Sequence, residues 1–332
     1  MESICHAAVT EAGSFPARTG VPFHRRAVVD VGTNSIKLLV ADVAGNEVRP
    51  VVEESRQTRL GKGFYETRRL QPANIACTAE AVWDFAQTAR EKNADTIRVI
   101  ATSAARDALN PGDLTLAIER AAGLKVEIIS GEQEAEWVFR GVTTDAELAK
   151  QPLFLLDVGG GSTEFILGHG KRKQFARSFP LGTVRLMERF PHSDPPTRRE
   201  YISCRDWIKN FLRHEVRPEL EPVLQRQKRV GEVLLVGTGG TTTILARIES
   251  RLGQFDRERI EGTRLGLDRI KAQRRRLWSL PLAERKEIVG LPRLRADVIL
   301  MGVAIYEAVM DEFGFRQLRV STRGLRFAAV MG

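Results

Sequence analysis

The chain has 332 residues, with 51 Lys and Arg against 42 Asp and Glu, which gives a formal charge of +9. This length exceeds what one hydrophobic core usually serves, so two domains are expected, and a composition of 42% hydrophobic and 28% charged residues argues against wholesale disorder. No apolar run reaches the roughly 18 residues of a membrane span. The chain has three widely separated cysteines, Cys5, Cys77 and Cys204. Their spacing argues against a disulfide framework or zinc site and for a reducing, cytoplasmic location.

The predicted elements alternate between strands and helices. Two apolar, β-branched runs flank the polar turn 32–35, which predicts a β-hairpin over 27–43. Helical spacing and short apolar runs then predict, in chain order, helix 74–92, strand 97–101, helix 113–122, strand 126–129, a helix from the capping-box sequence at 130–133 to 141, hairpin 153–168, a basic helical stretch over 197–229, strand 233–236, helix 242–248, helix 296–313, and a strand and helix within 317–332. This alternation indicates an α/β architecture.

The first hairpin recurs 127 residues later in the chain. At this offset Asp30 aligns with Asp157, Gly32 with Gly159, and Ser35 with Ser162. Both copies read as apolar strand, Asp-Val-Gly turn and apolar strand, which indicates a long-period duplication and not a short solenoid repeat. Two like domains that face each other would bring both turns to one cleft.

The stretch 157–164, Asp-Val-Gly-Gly-Gly-Ser-Thr-Glu, carries the clearest chemistry. Its three glycines let backbone N–H groups approach an anion closely, which indicates a phosphate-binding turn, and Ser162 and Thr163 add hydroxyl donors. Asp157 and Glu164 offer the carboxylate oxygens that Mg²⁺ binds beside a phosphate. The stretch lacks the Gly-Lys-Ser/Thr ending of a P-loop, and the chain has no dinucleotide-binding glycine motif with an acid at the required spacing.

Positive charge is concentrated in residues 165–280, which contain 25 basic and 13 acidic residues, against 26 basic and 29 acidic residues elsewhere. Such a surplus is either a solvated surface or a surface for a polyanion, and charge alone leaves nucleic acid, a membrane surface and a polyphosphorylated substrate open. No helix-turn-helix or RNA-binding pattern is present, so nucleic acid is not expected as a partner. No membrane partner is expected either.

Several motifs in order carry a resemblance to a known family. They are Asp30-x-Gly-Thr-Asn-Ser, Ala101-Thr-Ser-Ala-Ala-Arg106-Asp, Ile129-Ser-Gly-x-x-Glu134-Ala, Asp157-x-Gly-Gly-Gly-Ser-Thr-Glu, Phe179-Pro-Leu-Gly-Thr, Gly237-Thr-Gly-Gly-Thr and Arg295-Ala-Asp-Val-Ile-Leu. Over about residues 27–326 the chain resembles the exopolyphosphatase/guanosine pentaphosphate phosphohydrolase family in its short, two-domain form. The resemblance implies an α/β fold of two duplicated ribonuclease H-like domains of the actin/Hsp70/sugar-kinase superfamily, with an interdomain cleft. We expect a mobile extension at 1–24, a first domain at 25–138 plus 318–332, and a second at 139–317.

The resemblance also implies roles for single residues. Glu134 matches the general base that activates the attacking water, and Arg106 matches the arginine that clamps the terminal phosphate. The first phosphate loop is Gly32, Thr33, Asn34 and Ser35, and the second is Gly159, Gly160, Gly161, Ser162 and Thr163. Asp157 and Glu164 match the carboxylates that bind Mg²⁺, to which Asp30 contributes through water. The residues alone do not single out Glu134 from its neighbours Glu132 and Glu136.

The expected activity is hydrolysis of the terminal phosphoanhydride of inorganic polyphosphate, with guanosine pentaphosphate as the alternative substrate. A superfamily phosphotransferase and a non-catalytic polyphosphate or nucleotide sensor are the rival classes. The basic stretch is then a track for the polyphosphate tail, with Lys209 and Arg213 among its candidates, and a homodimer is expected. One departure stands out: the family usually ends in Gly-Leu-Arg-Glu-Gly, where this chain has Gly324-Leu-Arg-Phe327-Ala328, which leaves the contribution of that Glu open.

Overall fold

The computed structural model describes residues 22–332. The predicted extension 1–24 lies outside this range except for its last three residues, and the first strand begins at His24. The chain divides into two compact units: unit 1 contains the described residues up to Gln133 together with Leu325–Gly332, and unit 2 is Glu134–Gly324. The domain boundaries predicted at 138/139 and 317/318 fall five residues after and seven residues before these limits. The first limit lies inside a helix, where a sequence pattern gives no boundary signal.

The secondary structure follows the predicted alternation. The strands are β1 His24–Val31, β2 Ile36–Ala44, β3 Glu47–Arg56, β4 Thr96–Ala101, β5 Val126–Ile128, β6 Pro152–Val158, β7 Thr163–His169, β8 Arg172–Phe179, β9 Leu234–Thr238, β10 Arg264–Gly266 and β11 Gln317–Val320. The α-helices are α1 Phe64–Thr67, α2 Pro72–Glu91, α3 Ser103–Asp107, α4 Pro111–Ala122, α5 Gly131–Val142, α6 Ala146–Ala149, α7 Thr183–Arg189, α8 Arg198–Phe211, α9 Arg217–Val230, α10 Gly239–Glu249, α11 Arg257–Ile260, α12 Leu267–Ser279, α13 Leu282–Arg285, α14 Ile299–Phe313 and α15 Leu325–Ala329.

Unit 1 is built on a five-stranded sheet in the order β3-β2-β1-β4-β5. β1 and β2 are antiparallel with Val31 opposite Ile36, so the polar residues 32–35 form the predicted turn. β4 and β5 run parallel to β1, which brings the carboxyl ends of β1 and β4 to one edge of the sheet. The apolar runs of β1 and β2 are buried, and α2 packs on them with α4 beside it. The first glycine turn and α3 therefore leave the sheet at the same edge.

Unit 2 is built on a six-stranded sheet in the order β10-β11-β9-β6-β7-β8. β6 and β7 form the second hairpin, with Val158 opposite Thr163, and β8 is antiparallel to β7. β9 and β11 run parallel to β6, while β10 adds an antiparallel edge strand. Apart from β10, strand order and strand directions repeat those of unit 1. The predicted duplication of a ribonuclease H-like fold is thereby confirmed.

The core of unit 2 surrounds α14, whose residues are buried except for two near its carboxyl end. The stretch predicted as helical over 197–229 is interrupted: α8 ends at Phe211, a π-helical turn covers Leu212–Val216, and α9 follows. A capping box of Thr197 and Glu200 starts α8. Within residues 22–332, no helix combines the length and apolar character that crossing a membrane requires.

Candidate active site

The first glycine turn closes between β1 and β2 in unit 1. The Gly32 N–H donates to the Ser35 carbonyl oxygen at 3.1 Å, and a Cβ on Gly32 would lie 3.0 Å from that oxygen, so the close approach favours glycine. The segment after β3 braces the turn, because the Gly61 N–H donates to the Thr33 carbonyl oxygen at 2.7 Å. Thr33, Asn34 and Ser35 are all buried. The predicted phosphate loop is thus a braced backbone turn.

Asp30 lies just before this turn, and two positive charges act on it. Its carboxyl is buried, and Oδ1 has no hydrogen-bond partner in the described part of the chain. Burial raises the pKa of Asp30, whereas the charges of Lys37 and Arg326 oppose that rise. Arg326 is fixed by donating to the Leu38 carbonyl oxygen at 2.7 Å and to the Glu53 carboxylate at 3.2 Å. The acid is therefore partly balanced within unit 1, while one of its oxygens still lacks a donor.

Arg106 lies on α3, directly after β4. Its Nη1 donates to the Ile129 carbonyl oxygen at 3.2 Å, and its side chain is 21% exposed. Ile129 directly precedes the predicted capping box at the start of α5. One of its two bonds is present, since the Ser130 hydroxyl accepts from the Gln133 N–H at 3.1 Å. The Gln133 side chain donates to Glu127 instead of completing the box. The guanidinium is thus anchored to the segment that opens α5, the helix that carries Glu134.

The second glycine turn, in unit 2, closes in the same way as the first. The Gly159 N–H donates to the Ser162 carbonyl oxygen at 2.9 Å, and a Cβ on Gly159 would lie 3.0 Å from it. α7 begins on this turn, with the Thr183 N–H donating to the Gly159 carbonyl oxygen at 3.0 Å. Just before α7, a Cβ on Gly182 would overlap the Gly160 backbone. The duplication seen in the sequence is therefore also a duplication of backbone contacts.

The hydroxyls of the second turn donate within the protein. The Thr163 hydroxyl donates to the Leu181 carbonyl oxygen, and the Ser162 hydroxyl donates to Glu164 at 2.9 Å. The Gly161 carbonyl oxygen accepts from Arg185 Nε at 3.0 Å. Because each hydroxyl has one proton to donate, the backbone N–H groups are the donors that this turn offers to an anion.

Acidic side chains gather beside the second turn. Glu164 is 2% exposed, and its Oε1 accepts from the Ser162 hydroxyl and from the Ser178 hydroxyl, the latter at 2.7 Å. Burial raises the pKa of Glu164 well above its usual range, and the negative charges of Glu134 and Asp157 raise it further. Asp157 faces Glu164 directly across β6 and β7. This arrangement favours uptake of a proton or a cation.

The structure distinguishes the three glutamates at the start of α5. Glu132 is exposed, and the Glu136 carboxylate lies 2.6 Å from Lys173 Nζ. Glu134 is 8% exposed and acts electrostatically on Glu164. Of the three, Glu134 is therefore the buried member that belongs to the acidic cluster.

The carboxylates beside the second turn suit a magnesium site that water and phosphate oxygens complete. Within residues 22–332, no group of three or more His, Cys, Asp or Glu side chains has a geometry that could hold a metal ion. Two of the predicted ligands, Asp157 and Glu164, are nonetheless cross-strand neighbours, and burial first, and then the charges of Glu134 and Asp157, raise the pKa of Glu164. Mg²⁺ commonly takes one or two carboxylates and fills its remaining positions with water and phosphate oxygens. Asp157 and Glu164 suit such a site and do not form an all-protein cage.

Lys209 and Arg213 lie on α8 and on the π-helical turn after it. The Arg213 Nε is 3.1 Å from the Glu312 carboxylate, which is also 3.2 Å from Arg217 Nη1. Two guanidinium groups thus share one carboxylate of α14. The charge of Arg213 is already partly balanced within the protein, whereas Lys209 is half-buried on α8.

Ser178 and Gly182 contribute to the second turn but were not among the predicted site residues. Ser178 lies on β8, a strand that the sequence pattern did not predict. A signal for Gly182 does exist, because the dipeptide Leu-Gly occurs at 60–61 after β3 and at 181–182 after β8. Both glycines pack on the hairpin turn of their own unit, since added Cβ atoms would overlap Thr33 and Gly160 respectively.

The altered ending of the chain is buried. Phe327 lies on α15 and is 2% exposed, and the preceding Arg326 makes the contacts beside Asp30 described above. Phe327 therefore places a buried apolar ring where the sequence departs from the expected Gly-Leu-Arg-Glu-Gly ending, and the neighbouring arginine has its partners in unit 1.

A glycine turn at the first hairpin of each of two similarly built units, with carboxylates beside the second turn, is the arrangement expected of an enzyme that acts on phosphate groups. The Ppx/GppA phosphatase family model matches residues 39–331, and the chain belongs to this family. The predicted enzyme class, a hydrolase acting on phosphoanhydrides, is confirmed with it.

Individual relatives cover nearly the whole chain. Exopolyphosphatase 2 of Mycobacterium tuberculosis is 36% identical over 311 residues, which span 90% of this chain and 94% of the relative. Among solved structures, the Aquifex aeolicus member of the Ppx/GppA family is 29% identical with a TM-score of 0.74, covering 93% of this chain and 97% of that one. An exopolyphosphatase from Cytophaga hutchinsonii is 27% identical with a TM-score of 0.80, covering 92% and 96%.

Proposed function

We propose that this protein is an exopolyphosphatase that hydrolyses the terminal phosphoanhydride of inorganic polyphosphate and releases orthophosphate. The relative from Mycobacterium tuberculosis carries the name of this activity and matches over nearly its whole length. The observation that carries the mechanism is the buried acidic cluster of Glu134, Asp157 and Glu164 beside the second glycine turn. Phosphoryl transfer depends mainly on positioning and electrostatic stabilisation, which such turns and charges supply.

In unit 1, the first turn offers backbone N–H groups to phosphate oxygens, and Arg106 binds the terminal phosphoryl group. A guanidinium suits this task because its N–H groups match two phosphate oxygens at once and balance the charge that develops during transfer. The bond from Arg106 to the Ile129 carbonyl oxygen fixes the orientation of the side chain.

In unit 2, Glu134 accepts the proton of the attacking water, and the backbone of the second turn holds phosphate oxygens. Burial limits the contact of the Glu134 carboxylate with bulk solvent, which suits a base that acts on one bound water. Asp157 and Glu164 would hold Mg²⁺, with Asp30 acting through water. When bound, the ion neutralises negative charge on the phosphates.

Replacing Glu134 by Gln tests the mechanism, with Glu132→Gln as the matched control. The two glutamates are two positions apart on the same helix start, but only Glu134 is buried with the acids. We expect Glu134→Gln to lower kcat for polyphosphate by about 10²- to 10⁴-fold, the usual contribution of a general base. Glu132→Gln should retain wild-type kcat. Full activity of Glu134→Gln would rule out its role.

The substrate is tested by measuring phosphate release from polyphosphates of several lengths and from guanosine pentaphosphate with the same enzyme preparation. We expect polyphosphate to give the higher kcat/KM, and a higher value for guanosine pentaphosphate would make the alternative the correct function. Transfer of the phosphoryl group to ADP instead of water would indicate a superfamily phosphotransferase. Binding of polyphosphate or nucleotide without turnover would indicate a sensor. Magnesium dependence, a homodimer and a cytoplasmic location are part of the proposal.

A further inference from the structure

The third glycine-rich turn, Gly237-Thr-Gly-Gly-Thr, has no role in the reaction proposed above. It connects β9 to α10 at the carboxyl end of β9. β9 is the parallel neighbour of β6, with Thr238 opposite Asp157. The turn therefore lies in register with one of the two acids proposed to bind magnesium.

Gly239 meets that acid directly. Its φ is +83°, in the left-handed region that favours glycine. A Cβ at this position would overlap Asp157 Oδ1 and would lie 3.3 Å from Oδ2. Both the backbone conformation and the space beside the carboxylate thus require glycine, for two separate physical reasons.

α10 presents its amino-terminal end to this carboxylate. The helix has 11 residues, begins at Gly239, and its N-cap residue Thr238 makes no side-chain capping bond. The first N–H groups of a helix lack intrahelical acceptors and carry partial positive charge, so a negative side chain at this end is stabilised. Asp157 supplies that negative charge from the neighbouring strand.

We propose that Gly239 and the first turn of α10 position Asp157: they fix the orientation of its carboxylate toward Glu164 and the metal. The inference rests on the proposed function through the metal role of Asp157. It also bears on the phosphotransferase alternative, because a helix start that already holds a carboxylate repels a nucleotide phosphate.

Gly239→Ala tests the proposal, and Gly262→Ala is its matched control. Gly262 also has a left-handed φ, of +77°, but a Cβ there would meet nothing within 4 Å. Both variants carry similar backbone strain, while only the first disturbs Asp157. With Mn²⁺ as the probe in a substrate-free electron paramagnetic resonance titration, we expect Gly239→Ala to weaken binding at least tenfold and Gly262→Ala to change it less than twofold.

A double variant with Asp157→Ala completes the design. Once the carboxylate is gone, Gly239→Ala should cause no further loss of Mn²⁺ affinity and no more loss of stability than Gly262→Ala. Equal Mn²⁺ affinity of Gly239→Ala and Gly262→Ala would overturn the positioning role. If Gly239→Ala alone does not fold, recovery of folding in the double variant supports the contact and its absence overturns it. Unchanged affinity of Asp157→Ala would instead refute the metal role in the proposed function.

Discussion

The two glycine turns share a backbone and differ in charge. Each closes by one N–H bond from glycine to a serine carbonyl oxygen, at 3.1 Å in unit 1 and 2.9 Å in unit 2. Each follows an aspartate, but Asp30 faces Lys37 across its hairpin, whereas Asp157 faces Glu164. The lysine opposes the rise in the pKa of Asp30, and Asp157 adds to the rise in the pKa of Glu164.

The two turns therefore differ in charge at one pair of equivalent positions, Lys37 in unit 1 and Glu164 in unit 2. A lysine beside the aspartate offsets part of its negative charge, so under the proposed function the first turn would hold phosphate oxygens without a further cation. A glutamate at the same place gives the second turn an acid pair that repels phosphate until a cation or a proton arrives. Under the proposed function, the first turn binds phosphate oxygens, and the second turn binds them beside the acids that would hold the metal.

The strongest way to break this comparison is to remove the differing charges one at a time. Glu164→Gln keeps an oxygen that can accept from the Ser162 and Ser178 hydroxyls but removes the carboxylate. We expect it to lower magnesium-dependent phosphate release about 100-fold, because a metal ligand is lost. Lys37→Gln should lower it only a few-fold. Kinetics over a magnesium titration measure both, and equal losses would mean that the two turns do not differ in role.

Packing on the turns gives a second, smaller contrast. A Cβ on Gly182 would overlap backbone atoms of Gly160 and Gly161, whereas a Cβ on Gly61 would overlap only a side-chain atom, the Thr33 methyl, and would lie 3.2 Å from the Thr33 carbonyl oxygen. Gly182→Ala should therefore destabilise the protein by about 3 kcal/mol and Gly61→Ala by about 1 kcal/mol. Urea denaturation measures both. Gly112→Ala on α4, where nothing lies within 4 Å of the new Cβ, is the control and should be neutral or slightly stabilising. Equal costs at Gly182 and Gly61 would contradict the difference.

The central strands could be predicted because they are buried on both faces. The apolar runs of β1, β2, β6 and β7 stand out in the sequence, and the repeated Asp and Gly between them revealed the duplication. β3 and β8 were missed because each lies at a sheet edge and mixes charged with apolar residues. Such strands are held by pairing with a neighbour more than by their own pattern.

The sequence indicates which residue types form the candidate site, but its local pattern does not distinguish neighbouring residues of the same type. Glu132, Glu134 and Glu136 look alike in sequence, and the resemblance alone singled out Glu134. The three glutamates differ only in their tertiary surroundings. Glu132 is exposed to solvent, Glu136 pairs with a lysine on β8, and Glu134 is buried beside the other acids. Gly239 belongs to a glycine-rich motif that is visible in the sequence, but its contact with Asp157 depends on the parallel pairing of β9 with β6, which no local pattern encodes.

The pH dependence of stability provides the finest contrast, between Glu164 and Glu200. The folded pKa of Glu164 is raised, so its contribution to stability is complete below the ordinary value of 4.5 and is lost as the pH rises above it. Backbone and hydroxyl donors of Thr197 and Ser193 lower the pKa of Glu200 to about 2, so its contribution is complete above 4.5 and is lost as the pH falls toward 2.

Urea denaturation of wild type, Glu164→Gln and Glu200→Gln in EDTA, over pH 3 to 8, measures these two trends. The stability of wild type relative to Glu164→Gln should fall as the pH rises, and its stability relative to Glu200→Gln should fall as the pH drops. Adding magnesium should abolish the first trend, because a bound cation replaces the proton at Glu164, and leave the second unchanged because Glu200 only caps α8. If the stability of wild type relative to Glu164→Gln still falls with rising pH in saturating magnesium, Glu164 does not bind the metal. The two glycine turns would then not differ in role.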